Sequence, residues 1–317
     1  MNIQTIAILQ IHNKKQQYIM AREINKSFKN EFLKGTLKPL LSYIQNDDTL
    51  DMELRGDYVS IYYRGGCILS VQEKGYKLLS LSKEYEKANI GYPLPKLEKV
   101  ADINNYIPHA KHMIDVYVNH VQNHLGEKEI QQLVVKENNY SPIAQDTDYF
   151  IIDIEYQDLG RFDIVALRWD STSNSHRFYE KEEHLPTLTL IEVKQGVGSI
   201  DGVSGLKSHL VDFNRFVSDK EKLIEFKKDM LAVFQQKREL GLIPSLPESK
   251  FAEKKINNIR ENVDFIFLLS NYKSASSKLL TELNGIDNCK FIYSNPMGYG
   301  LYSKNIVSKE EFIKAFL

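Results

Sequence analysis

The chain has 317 residues, 42% of them hydrophobic and 26% charged, with a formal net charge of −1. That is enough apolar side chain for one elaborated domain or two of ordinary size, and the charge balance excludes both a disordered chain and a protein that coats nucleic acid by bulk basicity. Cys67 and Cys289, the only cysteines, lie far apart in separate apolar runs, which excludes a disulfide framework and a thiolate metal cluster.

Residues 1–15 carry a short apolar stretch without the basic flank or small-residue cleavage site of a secretory leader, and no apolar run approaches the roughly 18 residues of a membrane helix. A cytoplasmic protein with no membrane partner is expected. Residues 16–45 carry Ile24, Phe28, Phe32 and Leu33 at helical spacing until Pro39 interrupts the pattern. Between Lys14 and Lys38, seven basic residues (Lys14, Lys15, Arg22, Lys26, Lys29, Lys34, Lys38) stand against only Glu23 and Glu31, so Lys26 and Lys29 are candidate phosphate contacts that compete with a plainly solvated face. A hairpin is predicted from 57–63 and 68–71 around Arg64-Gly65-Gly66, with a third strand at 76–81. Arg64 at its tip is a further candidate contact. Gly91-Tyr92-Pro93-Leu94-Pro95 breaks regular structure and divides a helix-plus-hairpin unit, 1–105, from a second unit, 106–317.

A helix is predicted over 109–125 with the stripe Ile114, Val118, Val121 and Leu125, and then strands over 149–156, 161–170 and 187–194. Val203, Leu206, Leu210, Phe213 and Val217 step by three or four residues, marking an amphipathic helix that leaves Lys207, His209 and Asp212 off its apolar stripe. Charged helix to about Arg238, a loop over 241–249, and a strand, helix and strand over 263–269, 274–283 and 290–293 complete an α/β pattern. His109, His112, His120 and His124 share part of one helical face but lack the glutamate of a zinc-protease helix, so a polar face is the better reading.

Side chains alternate along a strand, so Glu192 and Lys194 project together while Val193 turns to the other face. Their strand is apolar enough to be central, where unpaired charges are expensive. Asp163 interrupts a second apolar strand in the same way. If these strands are neighbours, Asp163 and Glu192 can converge on a hard divalent cation, with Lys194 offsetting developing charge. Removing the buried charge by Glu192→Gln is expected to leave stability equal or higher.

Asp163 followed by Glu192-Val193-Lys194 on the next strand, in the order helix, strand, strand, strand, helix, resembles the PD-(D/E)xK (restriction-endonuclease-like) nucleases over roughly residues 109–217. The resemblance implies an α/β core with a mixed central sheet flanked by helices, preceded here by the N-terminal helix-plus-hairpin unit. It further implies a Mg2+ site, with Mn2+ as a substitute, held by Asp163 and Glu192, and phosphodiester hydrolysis assisted by Lys194. The implied activity is a DNA endonuclease of restriction or defence type, with a homodimer as one assembly. Phe162 stands where the motif's proline would, and the helix over 109–125 has no inward glutamate, leaving Glu129, Glu137 and Glu155 as alternatives. Gln195 and Lys207 are candidate substrate contacts, and Gly196 and Gly198 either admit a phosphate or simply turn the chain. The alternative is a non-catalytic protein of this fold that binds nucleic acid or a protein partner and keeps the charged trio as a relic.

Overall fold

In the computed structural model, Asn25 caps helix α1 (Lys26–Lys34) by accepting from Phe28 N, and α1 buries Phe28 and Phe32. The interruption expected at Pro39 in the helical stretch 16–45 falls slightly earlier: α1 ends at its C-cap Gly35 and the chain restarts as α2 (Lys38–Gln45), where Pro39 lies in the first turn and its missing N–H costs nothing. Residues 21–86, 91–122, 126–140, 147–157, 160–170, 181, 184–196, 198–245, 256, 258–270, 276–294 and 298–316 are described, so Lys14 and Lys15 lie outside them.

Strands β1 (Asp51–Leu54), β2 (Tyr58–Tyr63), β3 (Gly66–Gln72) and β4 (Leu78–Ser80) form an antiparallel sheet in that order. Arg64 and Gly65 make the two-residue β2–β3 turn with φ of 48° and 77°, the left-handed pair of a tight hairpin. The sequence does not announce β1, because all four of its residues are buried and two, Asp51 and Glu53, are acidic. Helix α3 (Ile103–Val116) starts six residues before its expected beginning and runs into a wider turn, Tyr117–Gln122. A further helix, α4 (Glu127–Val135), was not anticipated.

The second sheet has the order β5 (Tyr149–Tyr156), β6 (Phe162–Arg168), β7 (Thr187–Gln195), β8 (Val263–Ser270), β9 (Lys290–Ser294). β5, β6 and β7 are antiparallel neighbours, whereas β7–β8 and β8–β9 are parallel. One face buries Ile164, Ile191, Val193 and Ile266 with Ile130 and Val134 of α4. The other buries Val165, Leu188, Leu190 and Phe265 with α5 (Leu206–Ser218) and α6 (Lys220–Glu239), and that apolar cluster continues into the first sheet. Val203, expected on the α5 stripe, is 94% exposed in a turn ahead of the helix. Asp219, with ψ of 87°, divides α5 from α6 and caps the latter at Lys222 N. α7 (Ser277–Leu283) joins β8 to β9, and α8 (Lys309–Phe316) packs on β9.

The two sheets are tied by buried polar contacts. Lys237 of α6 pairs with Glu53 at 2.7 Å, Arg55 pairs with Asp153, Asp229 accepts from Arg22 N at 2.9 Å, and Gln236 accepts from Ile24 N at 2.9 Å. No described helix is long and apolar enough to cross a membrane.

Candidate active site at the splayed end of β6 and β7

The β6–β7 ladder runs from Arg168 and Thr187 to Ile164 and Ile191, where it ends. Continuing that register sets Asp163 opposite Glu192, and their neighbours Val165 and Leu190 lie on the same face of the sheet. On its far side β7 stays paired with β8 through Gln195, so only the β6 side opens. Two carboxylates meet the N–H groups exposed along that opening. Asp163 Oδ2 accepts from Val193 N at 2.7 Å, and Glu127 Oε1 accepts from Gln195 N at 3.2 Å.

Lys194 Nζ lies 2.7 Å from Glu192 Oε1, both side chains being nearly inaccessible at 4% and 3% exposure. His209 of α5 approaches the same pair, with Nε2 3.0 Å from Glu192 Oε1 and 3.4 Å from Lys194 Nζ. The sequence reading put His209 off the apolar stripe. It lies instead three residues after Leu206 and four before Phe213, within the buried face, and carries an imidazole down to β7.

On the other side of Asp163, Gln131 Nε2 donates to Asp163 Oδ1 at 3.1 Å and to Glu155 Oε1 at 2.8 Å. Glu155 stands across from Asp163 in the β5–β6 register and has φ of 54°, a left-handed conformation costly for a side chain of this type. Lys128 approaches its second oxygen at 3.2 Å. Of the three acidic alternatives, Glu155 is therefore the one joined to Asp163, whereas Glu129 binds Arg64 at 2.7 Å. Burial and the neighbouring Glu192 carboxylate hold the Asp163 pKa well above the usual carboxylate range, against the opposing pull of Lys194 and the Val193 N–H. Gathering carboxylates here thus favours a proton, or a cation in its place. Among the described residues no group of three or more His, Cys, Asp and Glu side chains is arranged as a metal cage. Asp163 and Glu192 alone make a two-carboxylate donor set, which suits a cation that keeps most of its water.

The candidate substrate contacts scatter. Gln195 lines a cleft of about 580 Å3 together with Arg64, Tyr117, Lys128 and Ser199, so the hairpin tip forms a wall beside the end of β7. Gly65 makes that approach possible, since a Cβ there would stand 2.7 Å from Glu129 N. Arg64 does not stand free at the tip: its guanidinium meets Asp115 at 2.8 Å as well as Glu129. Lys207 is half-exposed and 3.5 Å from Glu282, Lys29 pairs with Glu239 of α6, and Lys26 is exposed. Gly196, with φ of 64° and open space around it, turns the chain after β7. His109 and His112 pack against Tyr92, and His124 lies outside the described residues.

Sequence reasoning missed Gln131 and the contact of His209 with Glu192. Both carry a legible signal, a polar residue within a helix's apolar face. The chain matches no protein-family model, no curated protein and no solved structure.

Proposed function

We propose that the protein is a magnesium-dependent DNA endonuclease with a PD-(D/E)xK, restriction-endonuclease-like core, in a restriction or defence role. The observation that carries this reading is the alignment of Asp163 with Glu192 where β6 parts from β7, with Lys194 against Glu192. The order α4, β5, β6, β7, α5 supports it, and the helix that fills the first place is α4 rather than the one expected over 109–125. In this reading Asp163 and Glu192 hold the cation through oxygen. Bound there, Mg2+ or Mn2+ supplies Lewis-acid activation of the phosphodiester and of a water. Lys194 places a positive charge next to the same carboxylate, where it orients the nucleophile and offsets charge developing on the phosphate. Gln131 and the Val193 N–H fix Asp163 from two sides.

One observation favours the non-catalytic alternative: Arg64, Lys29 and Lys207, three of the expected phosphate contacts, are engaged by carboxylates. The two readings part on one experiment. Purified protein is incubated with supercoiled, linear and single-stranded DNA and with RNA, in magnesium, manganese or chelator. Cleavage of DNA with either metal and none with chelator is expected. Glu192→Gln should abolish it and weaken metal binding; Lys194→Ala should slow it by about 100-fold or more, the scale of losing one electrostatic stabiliser, while metal binding is largely kept. Variants that cleave as the parent does would overturn the site. A parent that binds nucleic acid and cleaves nothing would select the alternative.

A further inference from the structure

The charged trio leaves one neighbour without an assigned task. His209 reaches β7 from the first turn of α5, where its own N–H bonds Gly205 O at 3.1 Å and Leu206, Leu210 and Phe213 seat the helix on the sheet. Its Nε2 is nearer Glu192 Oε1, at 3.0 Å, than Lys194 Nζ, at 3.4 Å. Its Nδ1 is buried without a hydrogen-bond partner among the described residues.

These distances select a tautomer. A neutral imidazole carries one N–H, and the alternatives are to donate it from Nε2 to the carboxylate or to bury it unpaired on Nδ1. An orphaned buried donor is rarer and costlier than an orphaned acceptor. Nε2–H therefore points at Glu192 Oε1, and Nδ1 keeps the unused lone pair. Lys194 and His209 then both donate to one oxygen, and no donor among the described residues meets the other, Oε2. Two donors on one oxygen fix the rotation of a carboxylate as one cannot, because a single ammonium on a flexible stem follows the group it binds.

We infer that His209 is a positioning residue for the proposed metal centre: by donating Nε2–H to Glu192 Oε1 it locks the carboxylate with Oε2 turned toward Asp163 and a hard divalent cation. The inference rests on the metal-dependent reading above and deepens it. Side chains that orient a metal's ligands typically set affinity or activity by about 10–100-fold, and the unpaired Nδ1 is a cost that plain packing by a leucine would avoid.

The test uses the full chain and Mn2+ alone, read by electron paramagnetic resonance titration, alongside DNA cleavage and thermal melts. His209→Gln keeps an N–H near the position of Nε2, whereas His209→Asn places its amide near Nδ1 and falls short of Glu192. His209→Ala and His209→Asn should bind Mn2+ about 10-fold or more weakly and cleave correspondingly slower, while His209→Gln recovers most of both. A packing role gives no reason for glutamine to rescue and asparagine to fail. Parent-like Mn2+ affinity in His209→Ala, or equal behaviour of the Gln and Asn variants when both melt as the parent does, overturns the assignment and leaves the nuclease reading intact. A parent that binds no Mn2+ overturns both.

Discussion

Each residue of the site carries a separate electrostatic penalty, and the penalties have different owners. Glu192 is compensated by Lys194 and His209, so Glu192→Gln would leave a buried ammonium facing a neutral amide. The gain in stability expected from removing that charge therefore belongs elsewhere. Among the described residues Asp163 makes no ion pair of its own, and burial and Glu192 raise its proton affinity against the opposing pull of Lys194. A carboxyl whose folded-state pKa lies above its unfolded one is disfavoured as the anion on folding, so neutral pH costs stability. Without metal, Asp163→Asn should melt above the parent at pH 7 and Glu192→Gln below it, by scanning calorimetry. The reverse order would mean that Lys194 serves Asp163 rather than Glu192. With saturating Mn2+ the parent should gain melting temperature and Asp163→Asn should not.

At the scale of elements, helices act as carriers for polar groups that the strands need. α4 brings Gln131 to Asp163 and Glu127 to Gln195, α5 brings His209 to Glu192, and α6 brings Asp229 to the backbone ahead of α1. Asp229 accepts from Arg22 N with both oxygens and from Glu23 N, yet burial outweighs these bonds and raises its pKa to about 6. The folded state thus holds a proton that the unfolded chain releases between about pH 4 and pH 6. Stability contributed by this group is complete below that window and declines as pH rises through it, by on the order of 2–3 kcal/mol. Urea unfolding of the parent and Asp229→Asn at pH 4, 5, 6 and 7 should differ most in slope between pH 4 and 6, the parent losing stability relative to the variant. Parallel curves would remove Asp229 from the account.

At the scale of the molecule, the first sheet and the second share one apolar cluster and are pinned by ion pairs with almost no exposure, Glu53 and Lys237 at 0% and 1%. Burial raises the Glu53 pKa, opposed by Lys237. Removing one partner of a buried pair strands the other, at a cost of about 3–5 kcal/mol, whereas replacing both by apolar groups is often near neutral. Lys237→Met should destabilise the whole chain on that scale, and Glu53→Leu with Lys237→Met should recover much of the loss. Because the cluster is shared, fluorescence of Trp169, the only tryptophan, and far-UV circular dichroism should follow one transition in parent and variants. Two resolved transitions would make residues 1–105 an independent unit.

Strand alternation is a local property, so placing Glu192 and Lys194 on one face and Val193 on the other needed no tertiary information. The hairpin at Arg64-Gly65 and strands β5 to β9 were legible for the same reason: their periods and turn residues lie within a few positions. Pairing is not local. That β6 lies beside β7 in the register that aligns Asp163 with Glu192, and parts from it just there, was decided by long-range hydrogen bonding. β1 stayed hidden because the partners of its buried acid lie elsewhere, Lys237 being 184 residues away. α4 is short, and its buried Gln131 and Gln132 read as surface until Asp163 and the hairpin tip arrive to use them. Arg64, legible as an exposed basic tip, became an ion-paired wall of a cleft because α4 packs beneath it. Residue types capable of the chemistry are written in the order of the chain; which charge faces which depends on folding free energy summed over contacts distant in sequence, and only the tertiary structure holds that sum.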